Sequence, residues 1–230
     1  MLVSDVITLA QEASGLAYSS YVSEVTWTSW VNEVLSELYD IVIENYEDNV
    51  LSSDDISIVS NTDTYALPDD FYKCAGVDFY LGQITGAAPA YTLKRYMFAE
   101  RNMYRSVQPF FNITSPFGPI LRYAIRGQNI VFMPVPQGLG VIRLWYIPQF
   151  TTLALGGTLP SWLMNGWEQY IAYGAALKAV VKQDRDPSSL AGLKAEQKDR
   201  IIKASPQRDV GEPPRVVDIY AINFPFGGVY

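Results

Sequence analysis

Two adjacent pairs of acids, Asp54-Asp55 and Asp69-Asp70, are the groups with the most chemical promise in this sequence. Paired carboxylates are the machinery of glycoside hydrolysis, where one donates a proton and the other acts as base or nucleophile. Here each pair sits among Ser, Asp and Pro, where acids ordinarily close turns or cap helices, so both pairs are read as structural. The chain has no histidine. That removes Ser-His-Asp and Cys-His nucleophiles, imidazole acid–base chemistry and histidine metal ligands. The single cysteine, Cys74, excludes an internal disulfide and a cysteine-built metal site. Gly138-Leu139-Gly140 lacks a third glycine and falls between two strand patterns, which makes it a turn rather than a phosphate cradle. An enzyme is not expected, nor is any cofactor.

What remains is the chemistry of charged surfaces. The first 72 residues hold 14 acidic side chains and neither lysine nor arginine; all 17 basic residues lie from Lys73 onward, together with 10 acids. A soluble domain normally intersperses both signs, so a split of this kind reads as a surface built for a partner or against a polyanion. The acids concentrate on one helical face: Glu33, Glu37, Asp40 and Glu44 recur about once per turn with no lysine between them. Like charges at i, i+4 cost a few tenths of a kcal/mol per pair in an isolated helix. The densest basic run is Lys94, Arg95, Arg101 and Arg105. The overall charge of −7 argues against a protein that coats nucleic acid.

The acidic stripe requires a helix. Ser23 can cap one, with Glu24 in its first turn, and Trp27, Trp30, Val31, Val34, Leu35, Leu38, Ile41 and Val42 follow the i, i+3, i+4, i+7 rule. A shorter helix over Ser4 to Glu12 precedes it. From Asp54 the period changes to two, predicting strands at Ile56–Val59, Ala75–Leu81, Ala90–Arg95 and Val141–Ile147. A hairpin of Leu121–Arg126 and Asn129–Met133 turns at Gly127-Gln128. The basic run lies partly on a short helical patch, Tyr96 to Val107, followed by a proline- and aromatic-rich loop over 108–120. Helical periodicity returns after Pro160. Ser161 is the expected cap, Leu163, Trp167, Tyr170, Ile171, Gly174 and Leu177 share one face, and small residues such as Ala172 and Ala175 would admit a close neighbour. Asp186-Pro187 opens a last helix to about Lys203. The sequence thus predicts an α+β chain, with a helical bundle body formed by 1–53 and 159–204. A mainly antiparallel β-domain, 54–158, is inserted into it, and an extended tail spans 205–230. The tail carries Val217, Ile219, Tyr220, Ile222, Phe224, Phe226 and Tyr230, and an apolar stretch this long is expected to dock on a partner.

The order of these parts, with Trp30-Val-Asn-Glu-Val34, Tyr65-Ala-Leu-Pro-Asp-Asp-Phe71, Arg126-Gly-Gln-Asn-Ile-Val-Phe-Met-Pro-Val-Pro136, Leu144-Trp-Tyr-Ile-Pro148 and Leu159-Pro-Ser-Trp-Leu163, resembles the head-to-tail adaptor (connector) proteins of tailed bacteriophages over residues 20 to 204. The resemblance implies a virion protein at the head–tail junction, assembled in the host cytoplasm. It would form a dodecameric ring beneath the portal protein, join capsid to a tail nozzle or tail-tube protein, retain packaged DNA and let it pass on ejection. It implies no catalytic residues. By position, the tail would reach the portal.

A ring uses two different patches on each subunit, and segregated charges suit that geometry. The stripe at Glu33, Glu37, Asp40 and Glu44 is expected either to face the basic cluster of a neighbour or to line a channel through which DNA slides without sequence-specific binding. The alternative from another class is a carbohydrate- or protein-binding β-module of a phage tail or cell-surface structure; stacking on sugars would use exposed Trp or Tyr, whereas Trp145 and Tyr146 lie in a strand pattern more typical of a core. A nucleic-acid-binding role for the segment from Lys94 to Arg105 is a further rival. No membrane partner is expected, because no stretch approaches the ~18 apolar residues of a span, and Asp5 without early positive charge is not a signal peptide.

Overall fold

The computed structural model describes residues 1–17, 19–80, 90–105, 121–136, 140–163 and 166–204; of 104 and 105 it describes the backbone alone. The tail over 205–230, the loop over 108–120 and the side chain of Arg105 therefore lie outside the described residues.

Helical spacing of apolar residues gives the opening helix, α1 (Val3–Ser14), whose Val3, Val6, Ile7, Ala10 and Ser14 are buried. Asp5 accepts the Leu2 N–H at 2.8 Å, and Gly15, at φ 73°, ends the helix in the left-handed conformation that glycine tolerates best. The second helix, α2 (Glu24–Asn45), starts as predicted at Ser23, whose hydroxyl accepts the Thr26 N–H at 3.3 Å. Its apolar stripe is buried, with Trp30 only partly so, and it gains Tyr39 and Ile43.

Eight strands follow among the described residues: β1 (Ser52–Ile58), β2 (Thr64–Ala66), β3 (Phe71–Tyr80), β4 (Ala90–Thr92), β5 (Lys94–Arg95), then, after a short helix α3 (Arg101–Arg105), β6 (Arg122–Arg126), β7 (Asn129–Met133) and β8 (Gly140–Pro148). They form two four-stranded sheets, ordered β1-β8-β3-β4 and β2-β7-β6-β5. Pairing is antiparallel except between β5 and β6, which run parallel. Ile58, Val77, Phe79, Ile142 and Leu144 of the first sheet share one core with Ile130 and Phe132 of the second. The hairpin of β6 and β7 turns where predicted, with Gly127 supplying the positive φ of 58°. The single strand expected over Ala90 to Arg95 is instead two. Leu93 is buried between them and its N–H bonds the Val77 carbonyl at 2.8 Å, so the chain crosses there from one sheet to the other.

Two further helices among the described residues are α4 (Glu168–Lys182) and α5 (Ser188–Ala204). The helix expected from Ser161 begins seven residues later, at Glu168. Leu163 N–H closes a turn on the Pro160 carbonyl, Trp162 packs on Tyr39 with ring centroids 5.3 Å apart, and Gly166 at φ 86° redirects the chain. Burying Trp162 against α2 thus outweighs extending the helix. At the other boundary Asp186 accepts the Ser188 N–H at 3.0 Å, capping α5 as predicted.

Helix α4 packs against α1, α2 and α5, and the small residues explain how. A methyl group built on Gly174 would lie 2.6 Å from a Val34 methyl, so α2 and α4 touch backbone to side chain. Ala172, Ala175, Ala176 and Ala179 are buried around it. Ile147, at the end of β8, belongs to this helical core rather than to the sheets' core, and Phe150 and Leu153 pack on it too. Between the two cores, Tyr39 donates to the Pro148 carbonyl at 2.7 Å and Gln149 N–H to the Asp70 carbonyl at 2.6 Å.

Candidate functional site

Helix α2 places the four acids of the stripe on one face, but they do not share one fate. Glu33 is paired with Lys178 of α4 and also accepts the Ser29 hydroxyl at 3.3 Å. Glu37 accepts Lys194 of α5 at 2.7 Å on one oxygen and the Tyr170 hydroxyl at 2.7 Å on the other. Lys194 in turn lies over the Tyr170 ring, 5.0 Å from its centroid. The hydrogen bond from Lys178 holds the Glu33 carboxyl below its ordinary value. For Glu37, burial pushes upward, yet the bonds from Lys194 and Tyr170 win and its carboxyl also sits low. The like-charge repulsion along α2 is therefore offset by cations from α4 and α5. Asp40 and Glu44 are exposed, and neither forms a salt bridge among the described residues.

Beside this face runs an open groove of about 510 Å³, lined among others by Glu33, Tyr39, Asp40, Tyr72, Gln149 and Phe150. Its wall is held in place by Asn32, which donates to the Leu153 carbonyl at 2.9 Å and accepts the Leu153 N–H at 2.8 Å. The Tyr39 hydroxyl beneath it is pushed up to about 12 by burial and by the negative charges of Asp70 and Asp40. The groove thus has aromatic walls and a negative potential.

The predicted basic residues divide between the edge of the second sheet and the segment that follows it. Lys94 and Arg95 sit exposed on its edge strand, β5. Tyr96, next in the chain, is buried and accepts Arg126 at 3.0 Å. Past it the chain projects Met97 and Phe98 into solvent, with Met103 following on α3. The Arg101 guanidinium lies 4.2 Å and that of Arg126 5.2 Å from the centroid of the Phe98 ring. Arg101 also donates to the Phe98 carbonyl at 3.0 Å. Arg126 was not legible as part of this group, because only the hairpin places the end of β6 beside a segment 30 residues away. Two unlike surfaces result, an acidic aromatic groove and a tip crowned by apolar side chains, where Arg101 and Arg126 outnumber the one carboxylate, Glu100, which accepts the Met97 N–H at 3.1 Å.

Residues 1–217 match the SU10 adaptor protein family. The chain belongs to that family. No curated protein matches it. A member of this phage head-to-tail adaptor family is a structural component of the head–tail junction and associates with portal and tail proteins.

One member of each acidic pair in this adaptor is engaged in the fold, as are Asp78 and the single cysteine. Asp55 pairs with Arg143 through two bonds of 2.8 and 3.0 Å, which hold its carboxyl low. Asp70 accepts the Tyr146 hydroxyl at 3.0 Å. Asp78 accepts both the Trp145 indole N–H and the Thr92 hydroxyl at 2.8 Å, tying β3, β4 and β8 together on the solvent side of the first sheet. Cys74 is half-buried, with its sulfur 3.8 Å from the Tyr123 hydroxyl, and burial pushes the thiol up. That is the environment of an inert thiol. Among the described residues no group of three metal-ligating side chains occurs, and no helix is long and apolar enough to cross a membrane.

Proposed function

We propose that this adaptor assembles into a closed, dodecameric ring beneath the phage portal, joins the capsid to a tail nozzle or tail-tube protein, retains packaged DNA and lets it pass at ejection. The observation that carries this reading is the family match across residues 1–217, which takes in both the helical body and the β-domain. Two further features support it. A closed ring needs two different patches per subunit, and this chain has two surfaces unlike in charge and shape. A channel for DNA needs walls that do not bind it strongly, and a chain of net charge −7 with Glu44 exposed suits that role. The apolar tail from Val217 to Tyr230 is proposed to dock on the portal.

Light scattering of the purified protein, alone and mixed with the cognate portal ring, tests the proposal. The expected result is a monomer alone that becomes a ring-sized complex on the portal. A monomer indifferent to the portal, with specific affinity for a soluble glycan, would overturn it in favour of a binding module. On the outer face of the first sheet, however, the Trp145 indole is already bonded to Asp78.

A further inference from the structure

The tip carries three large apolar side chains in water: Met97 is 73% exposed, Phe98 64% and Met103 61%. Contiguous exposed apolar groups flanked by arginine have the composition of an interface anchor rather than of ordinary surface. Phe98 additionally lies within cation–π distance of two guanidinium groups, which favour its observed position. The groove beside α2 offers the converse features. It is concave, walled by Tyr39, Phe150 and a 55% exposed Tyr72, and bordered by Asp40 and Glu33.

We propose that the tip of one copy seats in the groove of the next, with Phe98 entering among the aromatic walls and the Arg101 and Arg126 side of the tip meeting Asp40, which forms no salt bridge among the described residues. This rests on the ring reading above and names the contact that would close the ring. Charge decides against the other pairings available to the same surfaces. Groove on groove sets acid against acid, and tip on tip sets cation against cation. The chain's own stretch over 205–230 carries Arg208 and Arg215 against Asp209, Glu212 and Asp218, and so brings no excess of positive charge to an acidic groove. A contact between unlike patches is heterologous and repeats from copy to copy, and it closes as a ring where the rotation between neighbours closes.

The experiment uses the full chain in a Cys74→Ser background, assembled on the cognate portal ring. One protein carries Ser36→Cys in the groove, the other Met97→Cys on the tip. Mixed rings are expected to give disulfides linking a groove copy to a tip copy, with neither homotypic product. In parallel, Asp40→Lys and Arg101→Glu each lower the assembled fraction about tenfold or more, and the two combined in one chain restore most of it. Neither residue lies in a core, so circular dichroism and Tm of the unassembled variants stay at wild-type values. Rings that form with no groove–tip crosslink and no charge dependence would overturn the contact while leaving the ring reading intact. Intact Asp40→Lys rings that slow DNA release would assign Asp40 to the channel and overturn it as well. A wild-type chain that never forms rings removes both readings.

Discussion

Glu37 is held from both sides, by an ammonium group and a phenol, and that distinguishes it from its neighbours on the same helical face. Together with Glu33 and Asp55, it is a carboxylate whose folded pKa lies below its ordinary value. Such a group contributes stability that is fully present above its unfolded pKa and is lost as pH falls through its folded pKa. Urea unfolding should therefore show stability constant near neutral pH and declining below the ordinary values of 4.5 for glutamate and 3.8 for aspartate. Glu37→Gln should cost about 0.5–1 kcal/mol at pH 7 and flatten that acid limb, since these pairs are largely solvated. An unchanged acid limb would show that the Lys194 bond carries no net stability. The acids themselves were legible in the sequence, but their partners were not. Lys178 and Lys194 lie 145 and 157 residues from the glutamates they meet. Periodicity within one helix says which residues share a face, not which later helix will cover it.

Helix α4 is the element on which the helical body depends, because it packs closely on α1, α2 and α5. Its closest approach is Gly174 against Val34. Gly174→Ala gains helix propensity but forces α2 outward, and overpacking of this kind should cost about 1–3 kcal/mol. Val34→Ala opens space at the same point. The double variant should therefore be more stable than the sum of the two single losses by about 1 kcal/mol, measured by urea unfolding as a double-mutant cycle. Additive losses would mean the helices already yield at this position. The run of small residues was readable as an invitation to a neighbouring helix, and α1, α2 and the β6–β7 hairpin followed their periodicity and turn chemistry. The start of α4 did not, because Trp162 gains more by packing on Tyr39 than by entering a helix. Likewise a run of alternating residues at 90–95 carries no mark of the crossing at Leu93, which depends on a core shared by two sheets.

At the scale of the molecule the helical body and the β-domain are joined through Tyr39, Ile147 and the strip around Gln149. Tyr39→Phe leaves the Pro148 carbonyl without its donor, a loss of about 1 kcal/mol. In hydrogen exchange, the amides of Gln149 and Leu153 should then open about fivefold faster while the interior of α4 keeps its protection. Uniform acceleration across both would show that the junction has no stability of its own to lose. The α+β architecture was legible from the change of period at Asp54 and its return after Pro160, since each period needs a different backbone. The joining contacts were not, because they link residues distant in sequence. That same separation has a consequence for synthesis. The β-domain closes entirely within residues 52–148, whereas the buried face of α2 must wait for α4, which starts more than 120 residues after α2 ends. At ~5–20 residues per second this is a delay of roughly 6–25 s on the ribosome. The β-domain can fold first, while Val31, Val34, Leu35 and Leu38 are still in need of a chaperone's cover.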